Sequence, residues 1–350
     1  MMMDLSNARL TTLSVHFVGN KSVGDDILHS ARPIAFEERE RIVLGNALLG
    51  RFTLDMSRYK FEHAVSLDYN GVYNYCLETL AEPADLHKHA MNIAKHLYES
   101  ATHPKIKAGD LYVCHFENCV VNNAYVDAIG IFKAESKNDY LELDIAGKDF
   151  ELQLKQGIDI HKMDKACLVL ASNAEAGFDV LIYDNANNKG EEAVYWRETF
   201  LGIAPQANEY YQTNEFLNIA KQFIAKQIPE EFEIDKTEQI DMLNKSVEFF
   251  KNNTAFDKKR FVEEVIQDDS IRRSFHKFEE AYSETHDIAL PDQFDISVQA
   301  VKKQARVFKS VLKLDKNFHI YIHGDKDLIE KGYDQTTGKK YYKIYYDEEF

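Results

Sequence analysis

"LYVCHFENCVVNNAYVDAIGIFKAE" (111–135) holds two runs of β-branched and aromatic residues separated by Asn122-Asn123, a dipeptide suited to a tight turn. The same texture recurs downstream in "DYLELDI" (139–145), "DFELQLK" (149–155), "KACLVLAS" (165–172), "FDVLIYDN" (178–185) and "AVYWRETFLG" (193–202). Turn residues such as Ala-Gly-Lys and Asn-Asn-Lys-Gly fill the gaps between them. A parallel pair needs a crossover of about a dozen residues or more, and these gaps are shorter. Seven strands joined as antiparallel hairpins are therefore expected.

Upstream, "RLTTLSVHFVGN" (9–20) reads as an opening strand and "FEERERIVLGNALLGRF" (36–52) as an amphipathic helix. A helix over 84–100 places Leu86, Ala90, Ile93 and Leu97 on one stripe, with Pro83 and Pro104 beyond its ends. From 212 the period changes to that of helices. Phe216, Ala220, Phe223 and Ile224 stripe one that stops at Pro229. Ile240, Leu243, Val247 and Phe250 stripe a second behind Thr237 as N-cap, a short third spans 257–266, and Ile271, Phe275, Phe278 and Tyr282 stripe a fourth behind Ser270. After Ser310, Leu312, Leu314, Phe318, Ile320 and Ile322 alternate with Val311, Lys313, Asp315, His319 and His323, the period of a strand pair. "GYDQTTGKKYYKIYY" (332–346) adds a turn and a last strand. The expected class is α+β: an antiparallel-sheet domain with flanking helices over 1–205, a helical region over 206–290, and a C-terminal segment over 291–350 with a basic helix end and a β-hairpin.

A chain of 350 residues with 45% hydrophobic content can bury a sizeable core, and its six prolines and fifteen glycines form no linker of low complexity. Cys76, Cys114, Cys119 and Cys167 are too sparse for a disulfide framework and read as reduced core thiols. Neither a leader nor a membrane-length apolar run is visible, so a cytoplasmic location is expected. The formal net charge of −16 opposes bulk attraction to nucleic acid, which depends on Lys and Arg displacing phosphate counterions. A local basic face is compatible with it, because salt screens charges from one another beyond ~10 Å at 0.1 M.

His87, His89, His96 and His103 lie around one helix without the i, i+3 or i+4 pairing of helical metal ligands, and read as solvated or capping histidines. Cys114 and Cys119, five apart on a strand, are expected on opposite faces. "GNKS" (19–22) lacks the frame of a phosphate-binding loop. No nucleophile elbow, zinc motif, dinucleotide fingerprint or nuclease cluster is present, so no catalytic residue, metal or cofactor is assigned.

Basic residues cluster in three places. Lys258-Lys259-Arg260 and Arg272-Arg273 with Lys277 lie on helices that supply acids at i, i+4: Lys259 with Glu263, Arg260 with Glu264, Asp268 with Arg272, Asp269 with Arg273. The third run, "KKQARVFKSVLKLDK" (302–316), carries Lys302, Lys303, Arg306, Lys309, Lys313 and Lys316 against one acid, Asp315. A helix over 297–308 would bury Val298, Val301, Ala305 and Phe308 and turn Lys302, Arg306 and Lys309 outward. Lys313 would extend the ridge onto a strand, where it could follow a phosphate backbone without reading bases. Lys302, Lys303, Arg306, Lys309, Lys313 and Lys316 are the DNA-contact candidates, with Lys258, Arg272, Arg273 and Lys277 second. A solubilising helix flank is the alternative for the ridge.

Three stretches, "AGDLYVCHFENCVVNNAYVDAIGIF" (108–132), "FLNIAKQFI" (216–224) and "RVFKSVLKLDKNFHIYIHGDKDLIEKGYDQTTGKKYYKIYY" (306–346), resemble the bacterial thirty-seven-kilodalton nucleoid-associated protein family. The resemblance implies a protein of the cytoplasm and nucleoid that binds double-stranded DNA, extending to single-stranded DNA and RNA, and acts on chromosome organisation without catalysis. Self-association, as a dimer, would put two ridges on one assembly. Two other readings stand beside it: an acidic adaptor that reaches the nucleoid through a protein partner such as a DNA-processing enzyme, and a metal-dependent enzyme acting on nucleic acid. No membrane partner is expected.

Overall fold

A computed structural model describes residues 3–53, 56–146, 148–185, 195–286, 288–306, 308, 311–322 and 328–348. The chain divides into two compact units, Met1–Gln206 and Ala207–Phe350. Helices and antiparallel strands occur in both, so the class is α+β.

The first unit is built on a nine-stranded sheet. Its strands are β1 (Met3–Asp4), β2 (Arg9–Val18), β3 (Ile27–His29), β4 (Arg58–Phe61), β5 (Gly109–Val121), β6 (Ala124–Ala134), β9 (Lys165–Leu170), β10 (Asp179–Asp184) and β11 (Ile203–Pro205). They lie in the order β11-β4-β10-β9-β6-β5-β2-β3, with β1 beside β5. Every recorded pairing is antiparallel, and Asn122 and Asn123, both with positive φ, make the β5–β6 turn.

Both faces of this sheet are covered, which is why β9 is buried along its whole length and, after Lys165, reads as a continuous apolar run. On one face Leu111, Val113, Ile129, Ile131, Cys167 and Val169 meet α2 (Gly71–Ala81), α3 (Leu86–Ser100) and the turn bearing Trp196. On the other, Cys114, Phe116, Phe132 and Leu168 meet Leu48 and Leu49 of α1 (Glu38–Leu49) and Phe52. Gly130 fits between the layers because a Cβ there would stand 2.4 Å from the Phe132 ring and 2.9 Å from that of Phe116.

In this unit three expectations change and one further helix appears. Residues Tyr195–Leu201 form a π-helical turn, where a seventh strand was expected. Tyr195, Trp196, Phe200 and Leu201 are its buried residues, a helical spacing that aromatic content alone disguised. Helix α2 went unread; Asn70 caps it by accepting the Tyr73 amide at 2.9 Å. Cys114 and Cys119 belong to the same core, because a bulge between Phe116 and Cys119, with Asn118 at φ 62°, inserts a residue and reverses the alternation. Finally β7 (Asn138–Ala146) and β8 (Asp149–Gly157) pair with each other as a separate two-stranded ribbon and stay out of the main sheet.

The second unit centres on phenylalanines. Phe216, Phe223, Phe250, Phe256, Phe261, Phe275 and Phe294 are all buried, and the Phe216 and Phe256 ring centroids are 4.2 Å apart. They come from α4 (Glu209–Gln222) with its extension, α6 (Lys236–Asn252), β12 (Ala255–Asp257), α7 (Lys258–Val265), α8 (Asp269–His286) and β13 (Gln293–Asp295). Helix α4 does not stop at Pro229: a π turn, Phe223–Gln227, leads into α5 (Ile228–Glu231) with Pro229 in its first turn, where no backbone donor is required. Asp235 and Glu238 form a capping box at the start of α6, displacing Thr237 from that role. Asp268 caps α8, accepting the amides of Ser270 and Ile271, in place of Ser270.

Candidate nucleic-acid interface

The run 302–316 folds as two pieces, each held by a different core. Its first piece is the end of α9 (Val298–Ala305), which Ser297 caps by accepting the Ala300 amide at 3.4 Å. That cap puts Val298 at the first helical position, 65% exposed, and Ala300 and Val301 are the buried residues, so the expected stripe shifts. Ala305 and Phe308 pack on the phenylalanine core. Lys302 and Lys303 are exposed in the last turn, a position that also favours cations by the helix dipole, and Arg306 is exposed at the C-cap.

Its second piece is the hairpin of β14 (Val311–Leu314) and β15 (Phe318–Tyr321), turned by Asp315 at φ 51°. Leu312 is buried with Ile240 of α6 and Ile322 in a smaller core, and the Asn244 side chain donates to the Ile322 carbonyl at 3.3 Å. Anchoring Leu312 inward sends Lys313 outward, and Lys316 is exposed in the turn. Two aromatics of the hairpin are exposed: Tyr321 on the Lys313 face, and Phe318 opposite Leu314 on the other face, next to the turn. Lys309 and His323 lie outside the described residues.

Among the described residues, Lys302, Arg306, Lys313 and Lys316 have no ion-pair partner. Lys303 donates to the Tyr210 hydroxyl at 3.1 Å and lies over its ring. Lys221, on α4, stands 5.8 Å from the centre of the Phe308 ring, and burial, with the positive charge of Lys226, lowers its pKa. Sequence spacing gave no hint of Lys221, because only the packing of Phe308 brings it to the run.

Two of the four second-rank candidates, Lys258 and Arg272, are committed to neighbours. Lys258 bridges Glu279 and Asp292, each at 2.7 Å, and although burial opposes its charge these bonds hold its pKa above the ordinary lysine value. Arg272 donates to the Ile266 carbonyl at 2.6 Å and pairs with Asp269 at 3.0 Å, one residue from the acid expected. Arg260 and Glu264 pair as expected, at 2.6 Å. Arg273 and Lys277 are exposed along a cleft that also contains Glu231, whose pKa the Ser274 hydroxyl, the Gln227 amide and, least, Lys277 lower.

The histidines divide: His89 is buried, His87, His96 and His103 are half-buried, and His103 accepts the Lys105 amide at 3.2 Å, a capping role as expected. His89 is buried near Glu78, His96 meets the Phe200 carbonyl at 3.0 Å, and His87 meets the Ser14 hydroxyl at 2.8 Å. Ser14 also bonds His16 at 2.9 Å, and the Ser30 amide donates to the other ring nitrogen of His16 at 3.2 Å. Among the described residues no group of three or more His, Cys, Asp or Glu could hold a metal. All four cysteines are free and buried, and burial pushes the Cys76 thiol up to about 12. No described helix is long and apolar enough to cross a membrane.

The charged cluster that sequence patterning missed lies in the first unit. Lys133, fully buried on β6, donates to the Lys107 carbonyl at 2.6 Å, Glu135 at 3.0 Å and the Tyr195 hydroxyl at 3.2 Å. Its neighbour Lys165 pairs with Asp184 at 2.8 Å. Three acceptors saturate the Lys133 ammonium, which marks it as a structural charge.

The model of a family described as nucleoid-associated protein YejK matches residues 15–349, nearly the whole chain. The chain belongs to this family. Membership in the YejK family supports a role at the nucleoid, and both pieces of the basic run fall inside the matched region. A search of the curated proteins found no match.

Proposed function

We propose that this YejK-family chain is a non-enzymatic nucleic-acid-binding protein of the nucleoid, acting on chromosome organisation through local phosphate contacts. The observation that carries the reading is four exposed cations, Lys302, Arg306, Lys313 and Lys316, without acidic partners among the described residues of a chain of net charge −16. Unpaired cations are the ones able to displace counterions from a phosphate backbone. Lys303 and Lys221 flank them, and Lys309 joins them on sequence grounds. Lys258 and Arg272, already engaged, rank last.

Phe318 and Tyr321 favour a second reading, in which single-stranded DNA or RNA is the better ligand. Tyr321, on the Lys313 face, and Phe318, at the turn that carries Lys316, are exposed rings on which unpaired bases could stack, worth ~1–3 kcal/mol each. Comparing a short single strand with its duplex, for the native protein and for Phe318→Ala/Tyr321→Ala, separates the two. The adaptor reading, in which a protein partner supplies the nucleoid contact, rests on the acidic total. Native protein that binds neither form at low salt would favour the adaptor and remove the phosphate-contact reading.

A further inference from the structure

We infer that two copies of this chain pair through the apolar face of the ribbon β7–β8. Three cross-strand rungs form that face: Leu141 opposite Leu154, Leu143 opposite Leu152, and Ile145 opposite Phe150. These six side chains are 61–76% exposed. Scattered exposed leucines are ordinary, but an unbroken face of six on one element is an interaction surface.

The other face needs no partner. Glu142 bonds Lys155, Gln153 donates to Asp144 at 3.3 Å, and Asp149 and Glu151 are exposed, so this face is polar and suited to water. At the base of the apolar face the Gln156 side chain donates to Asp139 at 2.9 Å, giving it a polar rim. Among the described residues no third strand pairs with the ribbon, and an isolated two-stranded hairpin is marginal in water unless its apolar face is covered.

Charge and area favour a second copy as the cover. Glu142, Asp144, Asp149 and Glu151 share the outer face with Lys155, so the ribbon repels nucleic acid and anionic lipid. No charge lies within the three apolar rungs, so two such faces can meet without opposing like charges. A two-fold axis through the Leu143–Leu152 rung sets the tip rung of each copy on the base rung of the other, a self-complementary fit. The exposed parts of the six side chains amount to roughly 700 Å² per copy, near the ~800 Å² per partner of a standard interface. This inference is independent of the nucleic-acid reading: a chain that never touches DNA could still pair this way.

The test is sedimentation of the full chain over micromolar concentrations. Native protein is expected to dimerise, and Leu143→Glu/Leu152→Glu and Leu143→Lys/Leu152→Lys should each self-associate at least ~100-fold more weakly. Mixing the two variants should restore a dimer, because unlike charges then meet at the axis. Monomeric native protein throughout the range, undiminished pairing in the variants, or no recovery on mixing would each overturn the inference. A second measurement covers variants that fold poorly: Leu143→Cys should give a disulfide-linked dimer on mild oxidation, while Glu151→Cys, on the outer face, should not. Equal cross-linking at both positions would contradict the assignment.

Discussion

Lys303 donates from Nζ to the Tyr210 hydroxyl at 3.1 Å and lies 5.7 Å from the centre of that ring, so its charge is fixed in position without being cancelled. Tyr210→Phe removes the hydroxyl and keeps the ring. Unit-two stability should fall by about 1 kcal/mol, the usual net worth of one hydrogen bond, read as a lower urea midpoint. Affinity for DNA should stay within ~2-fold, since the ammonium remains. A tenfold loss would mean that Tyr210 itself meets the ligand.

Lys258 gives the contrasting case. Its two carboxylate partners make it part of the unit's architecture, and Glu279 is itself buried. Lys258→Met would leave that carboxylate without its cation, at a cost of about 2 kcal/mol or more. The expected result is a clear loss of stability by urea unfolding with unchanged DNA affinity in the folded protein.

His16 sets a pH dependence. Burial, together with His29 and His87 beside it, pushes its pKa down from 6.5 to about 4. The Ser30 amide donates to Nδ1, so the neutral ring carries its proton on Nε2 and offers it to Ser14. Between these pKa values the unfolded chain takes up a proton that the folded chain refuses. Stability from this site is therefore complete above about pH 6.5 and declines toward pH 4, by up to ~1.4 kcal/mol per pH unit. His16→Gln cannot titrate, and a plot of unfolding free energy against pH should be shallower by one proton over that interval. Parallel plots for the two proteins would refute the assignment.

Strands whose period or turns were local could be read from sequence: the Asn122-Asn123 hairpin, β9 with its apolar run Ala166–Leu170, and the β14–β15 alternation all formed. Errors arose where a tertiary partner decided the outcome. Trp196 and Phe200 entered a π turn because both reach the same core. One extra residue near Asn118 reversed the direction of Cys119. At the basic run, the surplus of Lys and Arg over acid was legible, as was a strand for Lys313. Neither the Tyr210 anchor nor Lys221 was, because both are brought to the run by packing between α4 and α9.

The most direct measurement is the salt dependence of DNA affinity for the native chain and for Lys302→Glu/Arg306→Glu/Lys313→Glu/Lys316→Glu, all four exposed. Each phosphate contact contributes ~0.9 to the slope of log affinity against log salt on duplex DNA. Native protein should show a slope of about −3 or steeper, and the reversed variant should bind weakly with a nearly flat slope. The same affinity and the same slope in both proteins would contradict phosphate contact at these residues.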